Sequence, residues 1–181
     1  MEPKSPHSSD TTITELMIPS YANFGGKIHG GILLSLMDKV AYACATKHAE
    51  NYCVTVAVDG VDFLQPVEVG DLVSLMARVN HVGKSSLVVG IKVTAENVKQ
   101  RIVKHTNTSY FTMVAKDDDN KPTIVPPLLL TSIEEVRRFA DAILRKELKN
   151  YQRQEMDKSR ASFDVEEDLG ILKDQRCIID L

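Results

Sequence analysis

The segment from Gly31 to His48 limits the fold more than any other part of the chain. Set out at about 100° per residue, its apolar side chains cover an arc of roughly 200°. These are Ile32, Leu33, Leu34, Leu36, Met37, Val40, Ala41, Ala43 and Cys44. Ser35, Lys39, Tyr42 and Thr46 take the rest of the circle. A helix lying on one side of a sheet needs only a stripe about half that wide. This helix is therefore expected to be enclosed over most of its surface. One carboxylate, Asp38, falls at the border of the arc beside Leu34 and Ala41.

The flanking sequence supplies what can enclose it. Thr11 to Ile18 is β-branched and apolar and reads as a strand that Pro19-Ser20 ends. After the helix come Tyr52 to Phe63, Leu72 to Val82, Ser86 to Ala95 and Arg101 to Ala115. The second and third of these form a hairpin around Val82-Gly-Lys-Ser85, and Gly60 inside the first suggests a bulge or a close approach. Consecutive strands after a single helix give a mainly antiparallel sheet of the α+β class. Pro122, Pro126 and Pro127 mark a boundary. Beyond it Thr131 to Tyr151 carries one apolar stripe, with Ser132 and Glu135 placed for a capping box. From Gln152 the chain is charged and reads as irregular up to the apolar end, Cys177 to Leu181: a tail either disordered or docked on a partner. The expected organisation is a flexible arm over residues 1–10, a core domain over 11–127 and a C-terminal helix with a charged tail over 128–181.

A net charge of -3 gives no reason to expect a nucleic-acid partner. Three cysteines without CxxC spacing fit free thiols in a reducing compartment, and no metal-ligand spacing such as HExxH occurs. No apolar run is long enough to span a bilayer, and no signal peptide is visible. The reading is a cytoplasmic protein with no membrane partner, no metal and no cofactor.

The loop ahead of the long helix, Asn23-Phe-Gly-Gly-Lys-Ile-His-Gly-Gly31, has two glycine pairs. Helix N-termini present free N–H groups and partial positive charge, and glycines let a ligand approach the backbone. An acyl carbonyl placed there would meet donors where negative charge develops during attack. Two turns along, Asp38 could activate a water, and Asn23 could orient the water or the carbonyl. Each residue also has an ordinary use: a tight turn for the glycines, a salt bridge for Asp38, a turn or cap for Asn23, a hydrogen-bonded structural role for His29. Gly83-Lys84-Ser85 lacks the upstream glycine of a phosphate-binding loop, and a strand follows it.

Taken together, these motifs resemble the hotdog-fold acyl-CoA thioesterases, in particular the cytosolic acyl-CoA hydrolase group with its brain-type and bacterial short members. The similarity runs from about Thr11 to Pro127. It rests on Asn23, Gly26-Lys-Ile-His-Gly-Gly31 and Leu34 to Asp38. It continues through Val56-Ala-Val-Asp-Gly-Val-Asp-Phe63, Pro66-Val-Glu-Val-Gly-Asp71 and Val82-Gly-Lys-Ser-Ser86. The resemblance implies a sheet wrapped around one helix and hydrolysis of acyl-CoA to free acid and CoA. It implies Asp38 of one protomer as base, Asn23 of the other holding water or carbonyl, and the Gly30-Gly31 backbone as oxyanion donor, with His29 beside the substrate. It implies that Lys84, Ser85 and Ser86 meet the CoA nucleotide, although Lys84 equally suits a solvated hairpin. It also implies a homo-oligomer, a dimer at least and a hexamer built as a trimer of dimers. The rival readings are a non-catalytic acyl-CoA sensor and a hotdog hydratase or dehydratase, in which His29 and Asp38 would act together.

Overall fold

The structure, a computed structural model, describes residues 1–180, leaving aside the side chains of Glu166 and Glu167. Five strands, β1 (Thr11–Leu16), β2 (Tyr52–Asp59), β3 (Leu72–Val82), β4 (Ser86–Asn97) and β5 (Ile102–Lys116), form one sheet. Their order is β1-β3-β4-β5-β2 and every neighbouring pair is antiparallel. The helix α1 (Gly30–Ala49) lies against its inner face and touches all five strands. The fold is the α+β arrangement that the wide apolar arc and the strand count require.

Period-two alternation builds the core. Val73, Leu75, Ala77 and Val79 of β3, and Leu87, Val89, Ile91, Val93 and Ala95 of β4, point inward and are buried. From α1 they meet Leu33, Leu36, Met37, Val40, Ala41, Cys44 and Ala45. Strand β5 begins differently. Its Thr106, Asn107 and Ser109 are also buried, and Asn107 Nδ2 and Ser109 Oγ lie 3.3 and 3.4 Å from the Met37 sulfur. The bulge in β2 falls at Val56, between Thr55 and Ala57, and not at Gly60, which follows the strand.

Residues 1–10 are ordered, contrary to the loose arm expected. Pro6–Ser9 form a 3-10 turn with Pro6 and Ser9 buried. The Lys4 backbone bonds to Pro127 O and Leu129 N, both at 2.9 Å, and its Nζ donates to His48 O at 2.9 Å. Arg78 Nε donates to Asp10 Oδ1 at 2.7 Å, with a second contact through Nη2. The helix α2 (Ile133–Ala161) starts with the expected capping box: Ser132 Oγ accepts from Glu135 N at 3.3 Å and Glu135 Oε2 accepts from Ser132 N at 3.0 Å. His7 Nε2 comes within 3.3 Å of Glu135 Oε1, so the arm reaches that cap.

The chain divides into two compact units, Met1–Ala142 and Ile143–Leu181. In the first, Phe139 of α2 packs its ring 4.5 Å from that of His81. In the second, the helix runs past Gln152, where an irregular tail was expected. Its charges fall at helical spacing, with Lys158 Nζ 2.7 Å from Glu155. A short helix α3 (Val165–Asp168) and a 3-10 turn, Leu169–Leu172, follow. Leu181, the last residue of the apolar end, lies outside the described residues. No helix among the described residues is long and apolar enough to cross a membrane.

Burial pushes the Asp10 carboxyl up, but the hydrogen bond and charge of Arg78, and a smaller pull from His7, hold it below its ordinary value of 3.8. A depressed carboxylate adds stability above its unfolded pKa and loses it as pH falls through the folded value. Asp10→Asn should therefore melt roughly 2–4 °C below wild type at pH 7, the scale of a partly exposed ion pair. That gap should close as melting is repeated below pH 3.8.

Candidate active site

The glycine loop is a closed turn. Asn23 N donates to Lys27 O at 2.7 Å, Gly26 N to Asn23 O at 3.0 Å, and Ala22 pairs with Ile28. The Asn23 side chain is part of this closure, since its Oδ1 accepts from Gly25 N at 2.9 Å and from Lys27 N at 3.2 Å. Its Nδ2 has no partner among the described residues. Lys27 Nζ, 2.6 Å from Glu68, ties the far side of the turn to the next loop. Gly26 adopts φ +74, a left-handed conformation that side chains disfavour.

His29 caps α1 with its ring. Nδ1 accepts from Gly31 N at 2.8 Å, so the ring hydrogen sits on Nε2. This bears on the oxyanion donor expected at Gly30-Gly31. The Gly31 N–H is already engaged, whereas the Gly30 N–H has no partner among the described residues. The Phe63 ring lies over Gly30, 3.2 Å from where a Cβ would stand.

Asp38 lies on the exposed side of α1, in one row with Leu34 and Tyr42 at steps of four residues. Leu34, counted in the apolar arc by periodicity, is 38% exposed. The row Leu34, Asp38 and Tyr42 is left uncovered, whereas Ala41, Ala45 and Ala49 beside it are buried. Thr55 of β2 donates its hydroxyl to Asp38 Oδ1 at 2.6 Å. Its oxygen also lies 3.2 Å from the Met113 sulfur. One hydroxyl proton cannot serve both, and an ionised carboxylate is the stronger acceptor. Oδ1 is thus fixed and Oδ2 remains for a water. Sequence reasoning missed Thr55. Among Val54, Val56 and Val58 it reads as one more β-branched strand residue, and the bulge that follows it leaves no mark in the sequence.

Asp38 and Gly30 belong to one helix but cannot serve one carbonyl from the same chain. Eight residues at about 1.5 Å each put them about 12 Å apart along the axis. Lys84, Ser85 and Ser86 form the β3–β4 turn, closed by Gly83 N to Ser86 O at 2.8 Å. Thr55, Met113 and Leu87 form one cross-strand row, so the strand leaving this turn passes about 10 Å from Thr55.

Other reactive groups are silent. Burial pushes the Cys44 thiol up to about 12 and also raises Cys53. His48 is fully buried with Nε2 2.8 Å from Pro126 O, and burial lowers its pKa, keeping it neutral. Among the described residues no three His, Cys, Asp or Glu side chains gather as a metal site.

Residues 25–102 match the family model of the thioesterase superfamily. The protein VdlD of Helicobacter pylori is 46% identical over 134 residues, which cover 74% of this chain and 76% of that protein. An apo-hexameric acyl-CoA thioesterase superposes with a TM-score of 0.79 at 34% identity, covering 91% of this chain and all of that one. An acyl-CoA hydrolase from Staphylococcus aureus, solved with butyryl coenzyme A and coenzyme A, gives 0.77 at 30% identity, covering 87% and 96%. Alanine mutants at an asparagine, an aspartate and a threonine of that enzyme have also been solved. The three residues are separated by 15 and 17 positions, as are Asn23, Asp38 and Thr55 here.

Replacing Gly26 by alanine should cost about 1 kcal/mol through its positive φ. Thermal unfolding of Gly26→Ala beside wild type measures this, and an unchanged melting temperature would mean that the turn is not held as described.

Proposed function

Since this chain belongs to the hotdog-fold acyl-CoA thioesterases of the thioesterase superfamily, we propose that it hydrolyses fatty acyl-CoA to free acid and CoA in a site shared by two protomers. The observation that carries the two-chain site is the separation of Gly30 and Asp38 along one helix, about 12 Å. Two copies of α1 running antiparallel across a dimer bring the Gly30 amide of one protomer opposite Asp38 of the other. One similar structure is a hexameric thioesterase and another was solved with coenzyme A bound, which supports both the assembly and the ligand. A dimer joined at the β2 edge, repeated three times, is the assembly we adopt. The chain's side of that edge exposes Val56 and Val58.

The steps follow from the groups. Thr55 fixes one oxygen of Asp38. The other oxygen takes a proton from water as the water attacks the thioester carbon. Charge builds on the carbonyl oxygen, and the partner's free Gly30 N–H donates to it. Asn23 of the partner, with Oδ1 engaged in its own turn, uses Nδ2 to hold the water or the carbonyl. The tetrahedral intermediate then expels CoA as thiolate, a good leaving group because a thiol's ordinary pKa is about 8.5. Asp38 returns the proton to the sulfur. No redox or metal cofactor enters this scheme. Lys84 meets a CoA phosphate as a point charge, with Ser85 and Ser86 beside it.

Asp38→Ala should lower kcat for thiol release by about two to four decades, the loss of a general base. Undiminished turnover in a folded mutant would overturn the assignment. Asp38→Ala and Asn23→Ala protomers, each inactive alone, should recover about a quarter of wild-type activity when co-expressed. Half of such dimers are mixed, and each mixed dimer has one intact site. A one-chain site predicts no recovery.

A further inference from the structure

We propose that Phe24 of one protomer forms a wall of the acyl pocket in its partner and sets which acyl chains the site accepts. This rests on the two-chain site above. Phe24 is more exposed than any other large apolar residue among the described residues, at 114% of its reference area. It does not hang from a slack loop. The turn is closed by the Asn23–Lys27 and Gly26–Asn23 backbone bonds and by the Asn23 side chain, whose Oδ1 accepts from Gly25 N and Lys27 N. Every other position in Asn23–Lys27 is polar or glycine, so the turn presents a single phenyl group on a backbone that its own hydrogen bonds hold.

The destination follows from Asn23. If Asn23 reaches the partner's Asp38, Phe24 is carried to the same neighbourhood, because successive Cα atoms are only about 3.8 Å apart. Two apolar side chains beside that carboxylate are uncovered. Leu34 and Tyr42 flank it along the helix at 38% and 41% exposure, and the Tyr42 ring leans on that of Tyr52 at 6.1 Å. A phenyl group brought there covers the row that Leu34, Asp38 and Tyr42 leave open, and the acyl chain leaving the attacked carbonyl runs beside it. The charged CoA moiety has its own polar turn at Lys84, Ser85 and Ser86.

The test is thiol release from acyl-CoAs, acetyl to palmitoyl, by the full chain and by Phe24→Ala, Phe24→Leu and Phe24→Trp. Size-exclusion chromatography on each checks assembly. The expected result is about a tenfold shift of relative kcat/KM toward longer chains in Phe24→Ala, the worth of a small change in pocket volume, and an opposite shift in Phe24→Trp. Phe24→Leu falls between and stays assembled. The chain contains no tryptophan, so Phe24→Trp also carries a unique reporter, whose emission should be that of a buried indole and respond to long-chain substrate. Solvent-exposed emission, an unchanged chain-length profile, or an equal loss at every chain length overturns the proposal. An equal rise in KM would instead mean that the ring stacks on CoA. If wild type turns over and Asp38→Ala does not, those outcomes sink only the role of Phe24. If wild type releases thiol from no acyl-CoA, the hydrolase reading falls with it.

Discussion

Burial of α1 inside a curled antiparallel sheet is the constraint on which the rest of the structure depends. A helix lined with leucine, valine and alanine over more than half of its circumference has no stable place on a flat surface. The sheet supplies inward rows from β3 and β4, and the cost of ordering both is offset only because they cover each other. The cover is incomplete along one row of the helix, where the exposed Leu34, Asp38 and Tyr42 stand in line. The place where the core remains unfinished is also the place where a carboxylate is fixed by Thr55.

The start of that helix shows how one set of groups divides its tasks. A helix N-terminus has more N–H groups than local partners. His29 satisfies one of them through its ring, at Gly31, and leaves the amide of Gly30 free. Asn23 divides its amide in the same way, oxygen to the turn and nitrogen outward. Both residues are structural on one side and available on the other. A bond that closes the turn therefore leaves each of these two positions with a donor still to place.

Much of the fold was legible in the sequence because its signals are periodic. The arc of α1, the alternation of β3 and β4, the turn at Gly83 and the Ser132–Glu135 cap each follow a local rule. The departures are tertiary. The bulge at Val56 depends on pairing with β5, not on a glycine. The N-terminal residues looked loose because their partners, Pro127, Leu129 and Arg78, lie far along the chain. Leu34 looked buried because periodicity records a face and not what covers it. At the site, Asp38, Asn23 and the glycines were visible through type and order. Thr55 was not, since only the folded sheet turns its hydroxyl toward the helix.

The docked N-terminal segment has a practical consequence. Lys4 bonds through its N–H to residue 127 and through its carbonyl to residue 129, a two-rung parallel bridge near the end of the core sequence. The chain therefore enters the core unit beside the stretch that leads out toward α2. A tag or reporter fused ahead of Met1 would emerge at this seam and load the bridge that holds it. Attachment through a linker long enough to leave Lys4 in place is the safer geometry for immobilising this protein.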